Sequence, residues 1–215
     1  MPRTHLSPRL GTGAARRFRP GDVVPARELT TIRSERIVVP APDALTHVQF
    51  RRFASCPICN VHVRSVARRH DEIAAAGIRE VVVFHSTADA MLPHQGGLPF
   101  AAVADPNREL YAEFGVEFSY RSVLHPRAWT APLKPYAWSV AMRERRAPGG
   151  KWFSIRGDSM LGLPANFLIG VDGRVLAAKY GRHANDQWSV DELLHLARTP
   201  RAGGSYTPSR SPTHR

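Results

Sequence analysis

Ala54-Ser55-Cys56-Pro57-Ile58-Cys59-Asn60 holds both cysteines of the 215-residue chain and sits where a hydrophobic run turns into a helix. The residues before it, Thr46 to Phe53, alternate loosely and are rich in β-formers, whereas Val61 to His70 repeats small apolar residues at three- and four-residue spacing. A strand therefore delivers the chain to a helix start. Pro57 suits the first helical turn, where its missing N–H is not needed, and it disfavours helical geometry at the residue before it. This makes Cys56 the N-cap and Cys59 the third helical residue. A sulfur at an N-cap faces unpaired backbone N–H groups and the positive end of the helix dipole, which lower a thiol from about 8.5 toward roughly 3.5–7.5. Cys56 is the expected nucleophile, with Ser55 and Pro57 shaping its turn. Cys59, almost one turn on, is placed to attack a sulfenic acid or mixed disulfide on Cys56.

Two blander readings compete. A structural disulfide between residues three apart closes too small a loop to stabilise much. Tetrahedral zinc needs two further ligands, yet there is no second cysteine pair, and His47, His62 and His70 lack paired ligand spacing. Redox chemistry is the favoured reading.

The chain is 43% hydrophobic, enough for one well-buried domain with extensions. No run approaches the ~18 apolar residues of a membrane span, and Met1 to His5 lacks the apolar core of a secretory signal. The expected location is the cytoplasm, where a two-cysteine motif is more often catalytic than structural. Most of the +12 net charge lies in residues 1–20, 118–150 and 201–215. Residues 1–19 and 201–215 read as disordered basic tails that attract polyanions weakly. No nucleic-acid motif accompanies the charge, so neither specific nucleic-acid binding nor membrane association is expected.

Within residues 20–200 the pattern is that of one α/β domain. Ala26 to Thr30 and Ile32 to Val39 form an N-terminal hairpin extension ended by Pro40-Ala41-Pro42. After the cysteine helix, Gly77 ends a helical stretch, and Ile78 to Phe84 reads as a strand buried on both faces. Strand, helix and strand in this order form a parallel unit, which brings His85 and Ser86 to the sheet edge that carries the cysteines. His85 is either a proton-transfer partner of Cys56 or a histidine capping the strand, and the sequence leaves both open. Leu98 to Ala104 is a further strand, followed by a helix with Asp105 as N-cap, Pro106 at its first position and Gly115 at its end. Residues 118–150, rich in aromatics, Arg and Pro, read as an insertion that covers one side of the active site. A strand follows at Leu163 to Val171, then an Asp172-Gly173 hairpin into Val175 to Tyr180. The last helix runs from N-cap Ser189 to Arg198, with Glu192 as capping-box partner.

Together, the Cys-Pro-Ile-Cys helix start, the buried parallel strand, the Leu-Pro strand, the Asp-Gly hairpin and the last helix resemble the thioredoxin fold. Pro20-Gly21-Asp22, Ala104-Asp105-Pro106-Asn107-Arg108-Glu109-Leu110-Tyr111 and Phe167-Leu168-Ile169 with Asp172-Gly173 are similar to the peroxiredoxin-like branch related to alkyl hydroperoxide reductase and thiol-specific antioxidant proteins. The resemblance implies a central mixed sheet with helices on both faces and an insertion before the strand led by a cis-proline, here Pro164. It also implies a peroxide or disulfide substrate and a dithiol reductant such as a thioredoxin or a low-molecular-weight thiol. No metal, nucleotide or flavin cofactor is implied, and a homodimer is compatible with it. Where peroxiredoxins place a proline and a threonine before the peroxidatic cysteine, this chain has Gln49 and Phe53. Their peroxide-binding arginine aligns with Pro164. The sequence thus reads as a thiol-dependent oxidoreductase, the alternative being a non-catalytic redox sensor or binding module whose disulfide switches partner docking.

Overall fold

The computed structural model describes residues 17–116, 163–183 and 185–199. The expectations for the insertion, the C-terminal tail and most of the N-terminal tail lie outside these residues. Five strands form the main sheet: β3 (Leu45–Arg51), β4 (Ile78–Phe84), β5 (Ala101–Ala104), β6 (Ala165–Ile169) and β7 (Val175–Tyr180). Their order is β5-β4-β3-β6-β7, with β3, β4 and β5 parallel, β6 antiparallel to β3, and β7 antiparallel to β6. The expected N-terminal hairpin is a separate antiparallel pair, β1 (Arg27–Thr30) and β2 (Arg36–Val39).

One face of the sheet is covered by α1 (Pro57–Arg68), α2 (His70–Ala75), α3 (Ala88–Gln95) and the C-terminal α5 (Val190–Arg198). The other is covered by α4 (Glu109–Glu113) and by the segment around the hairpin, through Leu110, Tyr111, Phe114, Val24 and Val39. β4 explains its unbroken apolar run: Val82 and Phe84 point to the first core, Val81 and Val83 to the second. On β3 the alternation is of another kind. Val48 and Phe50 enter the second core, and His47, Gln49 and Arg51 alternate with them toward the helical face, all buried.

Ser189 caps α5 in a full capping box with Glu192, as expected. Gly77, with φ of 74°, ends α2 in the left-handed conformation that costs glycine little.

Several boundaries differ from the sequence reading. The first helix is divided at Arg69, whose guanidinium is held by Glu72 and by Asp191 of α5. The segment expected as a strand from Ile32 opens as a turn, because Thr31 accepts from the backbone of Arg33 and Glu35 and Ile32 donates to Ala102. Leu98 to Phe100 lies outside β5, and α3, with Pro93 inside it, went unread because its apolar spacing is weak. The N-cap of α4 is Arg108, in the left-handed region with φ of 62°, and not the expected Asp105, whose carboxylate reaches the first turn from three residues upstream and accepts from the N–H groups of Glu109 at 2.9 Å and Tyr111 at 3.2 Å. Pro106 falls in the turn before α4 rather than at its first position. Among the described residues the cis peptide bond is Val39–Pro40, not the expected Leu163–Pro164. The Pro164 carbonyl accepts from Gly181 at 2.8 Å and so continues the β6–β7 ladder in the ordinary extended form.

Candidate active site

The end of β3 and the start of α1 build the site. Cys56 has extended geometry (φ −65°, ψ 112°), Pro57 begins the helix, and the Cys56 sulfur accepts from the Cys59 N–H at 3.4 Å. Both cysteines are free thiols and both are buried. The turn that carries them is fixed at Ala54 rather than at the partly exposed Ser55. The Ala54 N–H donates to Ser86 Oγ at 3.0 Å, and its carbonyl accepts from Asn60 Nδ2 and Gln95 Nε2, each at 2.9 Å. Gln95 also donates to Asn60 Oδ1 at 2.7 Å, which closes the clamp. One residue each from α1, α3 and the end of β4 thus pins the approach to Cys56.

The main charged group at the sulfurs is one the sequence reading missed. Arg52 Nη2 donates to Cys56 Sγ at 3.1 Å, and Arg51 adds its own positive field. Burial opposes ionisation of either thiol. For Cys59 it is outweighed by the hydrogen bond with Cys56, by the Arg52 guanidinium and backbone N–H, and by Arg51, which bring it down to about 5. For Cys56, burial together with the neighbouring Cys59 pushes it up. The two thiols are therefore one site that releases its first proton readily and its second with difficulty. The expectation that Cys56 is the more acidic thiol is reversed: Cys59 is the one brought down, and Cys56 is pushed up by burial and by its neighbour, although the same arginine serves both sulfurs.

His85 does reach this edge of the sheet. Its backbone N–H donates to the Arg52 carbonyl at 3.3 Å, and its ring lies edge-on to Tyr111 with centroids 5.8 Å apart. Burial, then the positive charges of Arg108 and Arg52, lower it to about 4. A neutral imidazole at physiological pH has no surplus proton to give, and one this weakly basic is a poor acceptor. Pro164 lies one step past the Phe50–Ala165 pair, which places it alongside Arg51. Of the expected residues, Cys56, Pro57 and Cys59 form the centre, Ser86 clamps its turn, and His85 and Pro164 stand at the same sheet edge.

The missed residues had a faint signal. Arg51 and Arg52 end a strand that otherwise reads as buried, and buried arginines require partners. Among the described residues no group of three His, Cys, Asp or Glu side chains comes together to hold a metal.

Residues 65–183 match the AhpC/TSA antioxidant enzyme family. The chain belongs to that family. Its fold is the peroxiredoxin-like form of the thioredoxin fold, and the match begins within α1, after the two cysteines. Peroxidoxin BcpB from Mycobacterium tuberculosis is similar to it with a TM-score of 0.60 at 16% identity, over 86% of this chain and 99% of that one. A peroxiredoxin-like protein from Aquifex aeolicus gives a TM-score of 0.55 at 14% identity, over 86% and 89%. Peroxiredoxin Q from Xanthomonas campestris gives 0.53 at 15% identity, over 80% and 89%. No curated protein matches the chain by sequence. Among the described residues no helix is long and apolar enough to cross a membrane.

Proposed function

We propose that this family member is an antioxidant oxidoreductase that reduces a peroxide or a disulfide through the Cys56–Cys59 dithiol, Cys56 attacking and Cys59 resolving. The observation that supports it most is the position of both sulfurs on the first turn of α1 beneath Arg52. The dithiol monoanion keeps one proton between the two sulfurs. At rest the charge sits mainly on Cys59, and Arg52, whose Nη2 donates to Cys56 Sγ, supports the charge on Cys56 when the proton passes from Cys56 to Cys59, the form in which Cys56 attacks.

With a hydroperoxide, the Cys56 thiolate attacks the terminal oxygen and the O–O bond breaks. The products are a Cys56 sulfenic acid and an alkoxide, which takes a proton from water. The Cys59 thiol then attacks the sulfenic sulfur, the S–S bond forms, and water leaves with the Cys59 proton. With a disulfide substrate, the Cys56 thiolate attacks one sulfur, the substrate S–S bond breaks and the other sulfur leaves as a thiolate; Cys59 then attacks Cys56 of the mixed disulfide, and the second substrate thiolate leaves with the Cys59 proton. An external dithiol, such as a thioredoxin or a low-molecular-weight thiol, reduces the Cys56–Cys59 bond and closes the cycle. A reducing compartment such as the cytoplasm suits this cycle. The Ala54 clamp favours resolution in place, because Cys59 is within one turn and the turn need not unravel.

Stopped-flow oxidation of the reduced protein by hydrogen peroxide, an organic peroxide and a protein disulfide tests the reading. The expected order puts the disulfide ahead of hydrogen peroxide, because Gln49, Phe53 and Pro164 stand where the family resemblance puts its peroxide-binding residues. Cys56→Ser should abolish reaction, and Cys59→Ser should stop at a sulfenic acid or mixed disulfide. A hydrogen peroxide rate constant near the ceiling of about 10⁸ M⁻¹s⁻¹, or an active Cys56→Ser, would overturn it.

A further inference from the structure

The buried row on β3 leads from the cysteine pair to a carboxylate that the reaction above does not use. Arg51 Nη2 donates to two acceptors, Gln49 Oε1 and Asn166 Oδ1, the latter at 3.0 Å. Gln49 Nε2 donates in turn to Glu80 Oε2, and the same carboxylate meets His47 Nδ1 at 2.9 and 3.0 Å. The amide of Gln49 is thereby fixed in one sense, its oxygen toward the guanidinium and its nitrogen toward the carboxylate. Register explains the assembly, since Gln49 lies opposite Asn166 on β6 and His47 lies opposite Glu80 on β4. All five side chains belong to residues no more than 1% exposed.

A charged row of this kind is expensive to bury, and well-packed apolar residues often serve stability as well or better. Its position suggests another use. Arg51 is fully buried, it is joined to Glu80 through Gln49, and both that carboxylate and the cysteine pair act on its charge. We propose that Glu80 is a positioning residue for the dithiol chemistry: through Gln49 it anchors Arg51 beside the cysteines and divides the guanidinium's charge between its own carboxylate and the thiolate. This rests on the dithiol reading, and it makes Glu80 a second influence, beside Arg52, on how readily the pair ionises and is reduced.

The charges around this unit are few and give the sign of the effect. His47 faces Glu80 from β3, with Trp188 beside its ring at 5.7 Å. Arg51 and Arg52 face the thiols from the end of β3, and the Tyr111 hydroxyl donates to the Arg51 carbonyl from α4. Burial lowers Arg51 to about 10 against the raising influence of Cys59, Glu80, Tyr111 and Cys56 in that order, so both anions help keep it charged. Neutralising Glu80 leaves Arg51 to the cysteines alone and removes a repelling negative charge. The thiolate gains.

The test compares the wild type with Glu80→Gln and Glu80→Asp in iodoacetamide alkylation against pH, each cysteine followed by mass spectrometry. A second readout is the glutathione redox equilibrium near neutral pH. Glu80→Gln keeps the hydrogen-bond shape and should move the alkylation profile down by about one unit, the lower end of what a neighbouring charge does inside a protein. Its redox equilibrium should shift up to about tenfold toward the dithiol. Glu80→Asp keeps the charge and should stay near the wild type, whereas a merely structural role would favour the isosteric Gln over the shorter Asp. A Glu80→Gln profile that is unmoved or moves up, or a Glu80→Asp profile that moves as far, overturns the proposal. If Glu80→Gln does not fold, infrared difference spectra of the wild type with ¹³C-labelled glutamate decide the matter. A carboxylate stretch must shift between dithiol and disulfide states, and its absence overturns the proposal. The dithiol reading fails separately, if oxidised wild type shows no Cys56–Cys59 disulfide, and the alkylation profiles still read Glu80 in that case.

Discussion

Acid should unfold this protein partly through His85. The residue is 3% exposed, and burial followed by Arg108 and Arg52 depresses it from 6.5 to about 4. The folded-state value lies below the unfolded one, so the unfolded chain binds more protons between the two. His85 therefore contributes stability that is present above pH 6.5 and lost as the pH falls toward about 4. The full difference is worth about 3 kcal/mol, and roughly 2 kcal/mol of it should disappear between about pH 7 and about pH 4.5. Glu72 and Asp186, whose carboxyls are lowered by ion pairs or hydrogen bonds, lose their contributions only below the ordinary carboxylate range. The thiols overlap this window, since Cys59 is brought down to about 5. The measurement is therefore made in a Cys56→Ser/Cys59→Ser background, by urea denaturation at a series of pH values, with and without His85→Gln. The background protein should lose about 2 kcal/mol more than its His85→Gln derivative over that range. Parallel curves, or a steeper loss in the derivative, would show that His85 is not held neutral by the fold.

Two further outcomes follow from the same geometry. Arg52→Met removes the guanidinium that touches Cys56 Sγ, so the first ionisation of the pair should rise and alkylation near pH 6 should slow by about tenfold or more; an unchanged rate would leave Arg51 and the helix start as the source of the acidity. Gly181→Ala brings a Cβ to 2.7 Å from the Asp186 carbonyl oxygen and 2.9 Å from that of Pro164. Its urea midpoint should fall by the equivalent of about 1–3 kcal/mol, and an unchanged midpoint would mean the two segments part freely.

Much of this fold was legible along the chain because it is written in local rules. Proline at the first helical position, cysteine as N-cap, the Ser189–Glu192 capping box and the Asp172-Gly173 turn each depend on neighbours within a few residues. The unbroken apolar run of β4 could announce burial on both faces for the same reason. The location of the two thiols at the helix start followed from those signals. Their electrostatics did not. Arg52 is close to them in sequence, yet only the bend between β3 and α1 turns its guanidinium onto Cys56. The Ala54 clamp joins residues from α1, α3 and the end of β4, one of them from a helix whose weak periodicity hid it. The chain from His47 through Glu80 and Gln49 to Arg51 and Asn166 spans three strands. Such partners meet through sheet order and register, which depend on long-range pairing, and no local pattern on one strand specifies what stands opposite it. The sequence by itself determined where the reactive sulfurs sit; the tertiary structure alone decided which buried charges surround them, and hence how their proton is shared.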